Sequence, residues 1–158
     1  MSPLGPKDAI FLFNWILAAL PTSLTNQPQF LAFASGTLSD ALARWPVFND
    51  SAGVALRDAD GSIVAACAII ADPTANSATL AGPFVEPGYR RRGLATLMLE
   101  ECQSICVRQN IVELTSCIPT RDCNMCRFLL AAGFEIDRNA KAIVELGSRA
   151  WETLKRDL

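Results

Sequence analysis

The stretch Val85-Glu86-Pro87-Gly88-Tyr89-Arg90-Arg91-Arg92-Gly93-Leu94-Ala95 decides how this chain is read, because it leads from the end of an apolar strand into an amphipathic helix. Val85 closes the apolar run and Pro87 stops it. Leu94, Leu97, Met98, Cys102, Ile105 and Cys106 then recur at helical spacing. The first amide hydrogens of a helix have no intrahelical partner and carry the positive end of its macrodipole, so an anion docks there readily. Three arginines add attraction, and the small side chains at Gly93 and Ala95 let a phosphate approach the backbone. The spacing excludes a P-loop, which requires two glycines separated by four residues and then Lys-Ser/Thr. It also excludes the three-glycine dinucleotide fingerprint.

Working outward from this junction, Val54 to Leu56 and Ile63 to Ile70 read as strands joined at Asp58-Ala-Asp-Gly61, where Asp-Gly signals a hairpin. Ala78 to Val85 is the strand that feeds the loop. Downstream come a strand from Ile111 to Ile118, a helix from about Arg121 to Ala132, and Ala132-Gly133-Phe134 at its end. Upstream, Ala9 to Leu20 reads as a helix ended by Pro21, and Phe30, Leu31, Phe33, Leu38, Leu42 and Trp45 mark a second helical region. No good strand precedes Ile10. Helices, a meander, then strand-helix-strand-helix-strand predict one α/β domain over residues 1–158, with 1–50 helical and 51–146 forming the sheet and binding core.

The 158 residues are half hydrophobic (51%), enough for a real core. Acids and bases are interspersed at a net charge of −2, so no nucleic-acid partner is expected. The cysteines, Cys67, Cys102, Cys106, Cys117, Cys123 and Cys126, are read as reduced cytoplasmic thiols, because a chain this apolar needs no disulfide framework. Two alternatives are a redox pair at Cys123-x-x-Cys126 and a four-thiolate metal site formed with Cys102 and Cys106. Histidine is absent, which removes the commonest general base. Ala9 to Leu20 is too short to span a bilayer and is read as a buried or partner-covered helix, with a homodimer as one way to cover it.

Arg90-x-x-Gly93-x-Ala95, preceded by Val-x-Pro-x-Tyr and followed by the helix-end Gly133-Phe134, resembles the motifs of the GNAT superfamily of acyl-CoA N-acyltransferases over about residues 62–146. The resemblance implies a mixed, mostly antiparallel central sheet flanked by helices. It implies that acetyl-CoA, or another acyl-CoA, is the cosubstrate, with no metal. The pyrophosphate would lie on the Arg90, Arg91, Arg92, Gly93, Leu94, Ala95 and Thr96 segment, and the pantetheine arm would pair with Pro83, Phe84 and Val85. The expected reaction is direct attack of a primary amine on the thioester.

Where the family often carries a tyrosine acid, this chain has Leu129. A strand carboxylate of some members falls on Cys117, and a helix asparagine falls on Asp122. Glu86 as base and Cys126 as acid are the substitutes the sequence offers. A non-catalytic acyl-CoA sensor and a thiol redox protein are the competing readings.

Overall fold

The computed structural model describes residues 1–4, 8, 53–72, 75–119, 123–137 and 151–158. In chain order its elements are β1 (Ser2–Pro3), β2 (Gly53–Arg57), β3 (Ile63–Asp72), β4 (Ser77–Val85), α1 (Leu94–Arg108), β5 (Glu113–Pro119), α2 (Cys123–Ala131), β6 (Glu135–Ile136) and β7 (Trp151–Asp157). The strands form one sheet in the order β1-β2-β3-β4-β5-β7-β6. Every neighbouring pair is antiparallel except β4 and β5, whose parallel pairing requires the crossover that α1 provides. The mixed, mostly antiparallel sheet expected from the sequence is therefore present. The helices expected between residues 9 and 50 lie outside the described residues.

Two elements correct the sequence reading. A strand does precede Ile10: Ser2 and Pro3 pair with Ala55 and Val54, and the Leu4 amide continues the pairing to the Gly53 carbonyl at 3.0 Å. Two residues are too few to leave a periodic signal. At the other end, β7 is an interior strand between β5 and β6, although Trp-Glu-Thr-Leu-Lys-Arg-Asp does not read as one. Leu154 supplies its apolar contact, fully buried opposite Ser116. The rest of the strand is held by its ladders to β5 and β6.

Packing divides into two clusters. The larger joins Ala65, Cys67 and Ile69 of β3, Ala78 and Leu80 of β4, and Leu114 and Ile118 of β5 to the buried face of α1. Leu129, Phe134 and Leu154 belong to the same cluster. The smaller joins Leu4, Ala55, Ile63 and Ala66, with Phe84 packed against it. On α1 the buried residues are Met98, Leu99, Cys102, Ile105 and Cys106, whereas Leu97 is 40% exposed. At 3.6 residues per turn Leu97 points roughly 140° from the middle of that stripe, so Leu99 takes the place the sequence reading gave to Leu97.

Cys67, Cys102 and Cys106 are all fully buried in the larger cluster, with the Cys102 thiol directed at the Cys67 carbonyl at 3.5 Å. Burial pushes the Cys67 thiol up, and pushes Cys106 from the ordinary value of 9.0 to about 12. A thiol that stays protonated when folded but ionises when unfolded contributes stability that is complete below the unfolded value. That stability is lost as pH rises toward the folded value. Unfolding free energy is therefore expected to fall above about pH 9, by about 1.4 kcal/mol per pH unit for each such thiol. Urea midpoints taken at about pH 8 and about pH 10 check this sign; a constant midpoint would contradict it.

Candidate functional site

β4 and β5 are paired only from Ser77 with Glu113 to Leu80 with Ser116. The Ser116 hydroxyl donates to the Leu80 carbonyl at 3.4 Å, at the last paired position. Beyond it the strands part. β4 stays bound to β3 up to Val85, and β5 stays bound to β7 up to Pro119, so a cleft opens between residues 81–85 and 117–119.

Strand parity decides which backbone groups face that cleft. The Glu86 amide donates to the Val64 carbonyl at 2.9 Å, which makes 64 and 86 a hydrogen-bonded pair. Alternation then makes Phe84 and Ala66 the next such pair and turns the backbone groups of Val85 away from β3. Phe84 thus spends its backbone on the sheet and packs its side chain on the smaller cluster. Pro83 sits in the bulge where the register shifts between Ala66 and Ala68. It is buried and has no N–H to give. The Val85 carbonyl accepts the Arg90 Nε–H at 3.0 Å. Along residues 83–85 the remaining cleft-side donor is the Val85 N–H.

The loop that follows is a single 3₁₀ turn, Pro87–Tyr89, running into Gly93, which adopts a left-handed conformation (φ 77°) as the N-cap of α1. No side chain caps this helix and no acidic residue lies in its first turn. The first intrahelical bond runs from the Leu97 amide to the Gly93 carbonyl at 3.1 Å. By helix geometry the amides of Leu94, Ala95 and Thr96 have no partner within the helix. This is a donor set suited to a phosphate, and it opens at the same end of β4 as the cleft. The fit to a diphosphate followed by an extended arm rests on that continuity.

The three arginines are not equivalent. Arg90 latches the strand end at Val85, and Arg92 donates to the Gly88 carbonyl at 3.2 Å while lying 5.3 Å from the Tyr89 ring centre. Arg91 is exposed and held at a positive φ of 61°, uncommon for a residue with a Cβ. Glu86 is half-buried where β4 gives way to this turn, and Cys126 is half-buried on α2 against the larger cluster. Leu129 is fully buried within that cluster, so it is a packing residue. Its carbonyl accepts the Phe134 amide at 3.0 Å, closing the helix, and Arg156 of β7 donates to the Ala132 carbonyl.

Among the described residues no three His, Cys, Asp or Glu side chains gather to hold a metal, and no helix is long and apolar enough to cross a membrane. The side chains of Cys117 and Cys123, and the whole of Asp122, lie outside the described residues. The sequence reading missed one partner of the loop. The Tyr89 hydroxyl donates to the Asp58 carboxylate in the β2–β3 turn, a contact across 31 residues that no local pattern encodes.

The model of the acetyltransferase (GNAT) family matches residues 13–134. No functionally curated protein matches the sequence. Among solved structures, Ard1 from Thermoplasma volcanium is similar at a TM-score of 0.71 and 20% identity, covering 99% of this chain and 95% of its own. PaiA N-acetyltransferase from Thermoplasma acidophilum, solved in complex with coenzyme A, is similar at 0.67 and 15%, covering 99% and 97%. Ribosomal-protein-alanine N-acetyltransferase from Brucella melitensis is similar at 0.69 and 14%, covering 99% and 98%.

Proposed function

This chain belongs to the acetyltransferase (GNAT) family and is by class an acyl-CoA-dependent N-acetyltransferase, and from that premise we propose that it moves an acetyl or other short acyl group from acyl-CoA to a primary amine by direct attack. The observation that carries the reading is the continuity of the β4–β5 cleft with the uncapped start of α1. The amides of Leu94 to Thr96 bind the diphosphate, and the arm enters the cleft as an added strand along Val85. The amine nitrogen bonds to the thioester carbonyl carbon, the carbon–sulfur bond breaks, and the thiolate leaves.

The Val85 N–H polarises the carbonyl oxygen. A preorganised donor of this kind contributes about 3 kcal/mol in acyl transfer. Pro83 supplies no second one.

The attacking ammonium must first lose a proton, and Glu86, beside the strand end, accepts it directly or through water. Cys126 supplies the proton to the leaving thiolate. Glu86→Gln is expected to lower kcat by about 100-fold or more while leaving KM for acetyl-CoA in place. Cys126→Ala is expected to lower kcat less, because a CoA thiolate also leaves unaided; unchanged turnover would remove that thiol from the mechanism.

The overall test is a panel of small amines, amino acids and peptide amino termini incubated with acetyl-CoA. The acylated amine is detected by mass, since the protein's own thiols interfere with thiol dyes. A second reading, an acyl-CoA-binding module without turnover, is favoured by the burial of Leu129 where the family often has a tyrosine acid. Binding of acetyl-CoA with no acylated product from any amine would select it.

A further inference from the structure

The β2–β3 turn is unusually well fixed for a surface hairpin. The Asp58 amide donates to the Ser62 carbonyl at 2.8 Å, and the Gly61 amide to the Asp58 carbonyl at 3.0 Å. The Ala59 amide donates to Asp58 Oδ1 at 2.5 Å and the Ser62 amide to Asp60 Oδ1 at 2.9 Å. Asp58 is thus a carboxylate with one oxygen held by its own turn and the other presented to Tyr89. Behind it, Arg57 reaches the Gly61 carbonyl at 3.4 Å and pairs with Asp8 at 2.9 Å, so the turn is tied to the N-terminal segment as well.

We infer that Asp58 and Tyr89 form a clasp that positions the phosphate loop for acyl-CoA, with Asp58 acting through Tyr89 on Arg92 and on the Pro87–Tyr89 turn. This rests on the function proposed above and adds to it a positioning pair outside the motif. The route is continuous. Asp58 fixes the Tyr89 hydroxyl, the ring lies 5.3 Å from the Arg92 guanidinium, and Arg92 in turn donates to the Gly88 carbonyl at 3.2 Å. Both ends of the loop are thereby set, since Arg90 already anchors it to Val85. Without the clasp, the loop residues leading into Gly93 must be ordered by the ligand itself, and ordering cost appears as weaker binding. The hydrogen bond also holds the Asp58 carboxyl below its ordinary range and the Tyr89 phenol above its own, so the clasp stays in one protonation state around neutrality.

The test is steady-state kinetics and coenzyme A thermal shift on Tyr89→Phe, Asp58→Ala, Asp58→Asn and the Tyr89→Phe/Asp58→Ala double variant. Tyr89→Phe and Asp58→Ala are each expected to raise KM for acetyl-CoA about fivefold, the fold-change of one net hydrogen bond, with kcat nearly unchanged. The double variant is expected to be no worse than either single one, and Asp58→Asn, whose amide N–H can donate to the Tyr89 hydroxyl oxygen while its Oδ1 keeps the Ala59 amide, to recover part of the loss. Unchanged KM in Tyr89→Phe, multiplying effects in the double variant, or no recovery in Asp58→Asn would each overturn the clasp. If the unmodified protein neither binds coenzyme A nor turns over, the proposed function falls and the clasp falls with it. Binding by the unmodified protein with undisturbed variants removes the clasp alone.

Discussion

Gly93→Glu is expected to abolish the rise in melting temperature that acetyl-CoA gives the unmodified protein and to lower kcat/KM by at least about 100-fold. Two physical causes act together. Gly93 holds φ at 77°, where a residue with a Cβ costs about 1 to 2 kcal/mol. The new carboxylate then stands among the amides of Leu94 to Thr96, where it repels the diphosphate and competes for its donors. Each charge-assisted hydrogen bond lost is worth about 1.5 to 3 kcal/mol, so two of them exceed the stated factor. Gly93→Ala separates the causes. A Cβ at this position meets nothing within 4 Å, so the alanine variant carries the backbone strain alone. It should melt earlier yet still respond to acetyl-CoA. If the glutamate variant keeps the full shift, the diphosphate does not sit on the start of α1.

The largest expected loss of stability belongs to a residue far from that loop. Gly53→Ala should destabilise the fold by about 3 kcal/mol or more, read from urea or thermal unfolding. A Cβ on Gly53 would stand 2.2 Å from the Cys67 carbonyl oxygen, 2.7 Å from the Ala68 Cα and 2.9 Å from Leu4 Cδ1. The first two are backbone atoms of β3 and cannot rotate away. Gly53 also holds φ at 146°, outside the range a larger residue adopts without strain. Overpacking of about 1 to 3 kcal/mol and backbone strain of similar size add here because they arise at the same atom. Relief would require β2 to move off β3 at the point where the Leu4 amide also bonds to Gly53. Gly88→Ala is the matched control: its added Cβ also meets nothing within 4 Å, and stability should hold. Equal stability of the two variants would mean that β2 and β3 are not this close.

Much of the fold was legible from the chain, for reasons that can be named. β3 and β4 announced themselves because long apolar runs bounded by turn residues leave a periodic signal, and α1 because its buried stripe follows a glycine N-cap. Asp60-Gly61 marked the hairpin, and the Asp58–Ser62 hydrogen bond closes it there. β1 and β7 were not legible. Their places depend on a ladder to a strand about 50 residues away in the first case and on β5 and β6 in the second, while their own side chains carry little apolar pattern. Leu97 and Leu99 exchanged roles because two leucines two residues apart, on nearly opposite sides of the helix, are distinguished only by the direction of the sheet beneath them.

For the site, the sequence by itself determined the turn proposed to bind the anion. A strand end, a proline stop, Gly93 and an uncapped helix are local features, and local chemistry writes them directly into residue order. Tertiary structure alone decided what surrounds that turn. The parting of β4 from β5 after Leu80 and Ser116 opens the cleft. Strand parity then assigns the cleft-side donor to Val85 and leaves Pro83 silent. Packing makes Leu129 a core residue, and a contact across 31 residues joins Asp58 to Tyr89. These depend on which strands become neighbours and in what register, and such pairings are set by the whole core rather than by the residues that take part in them.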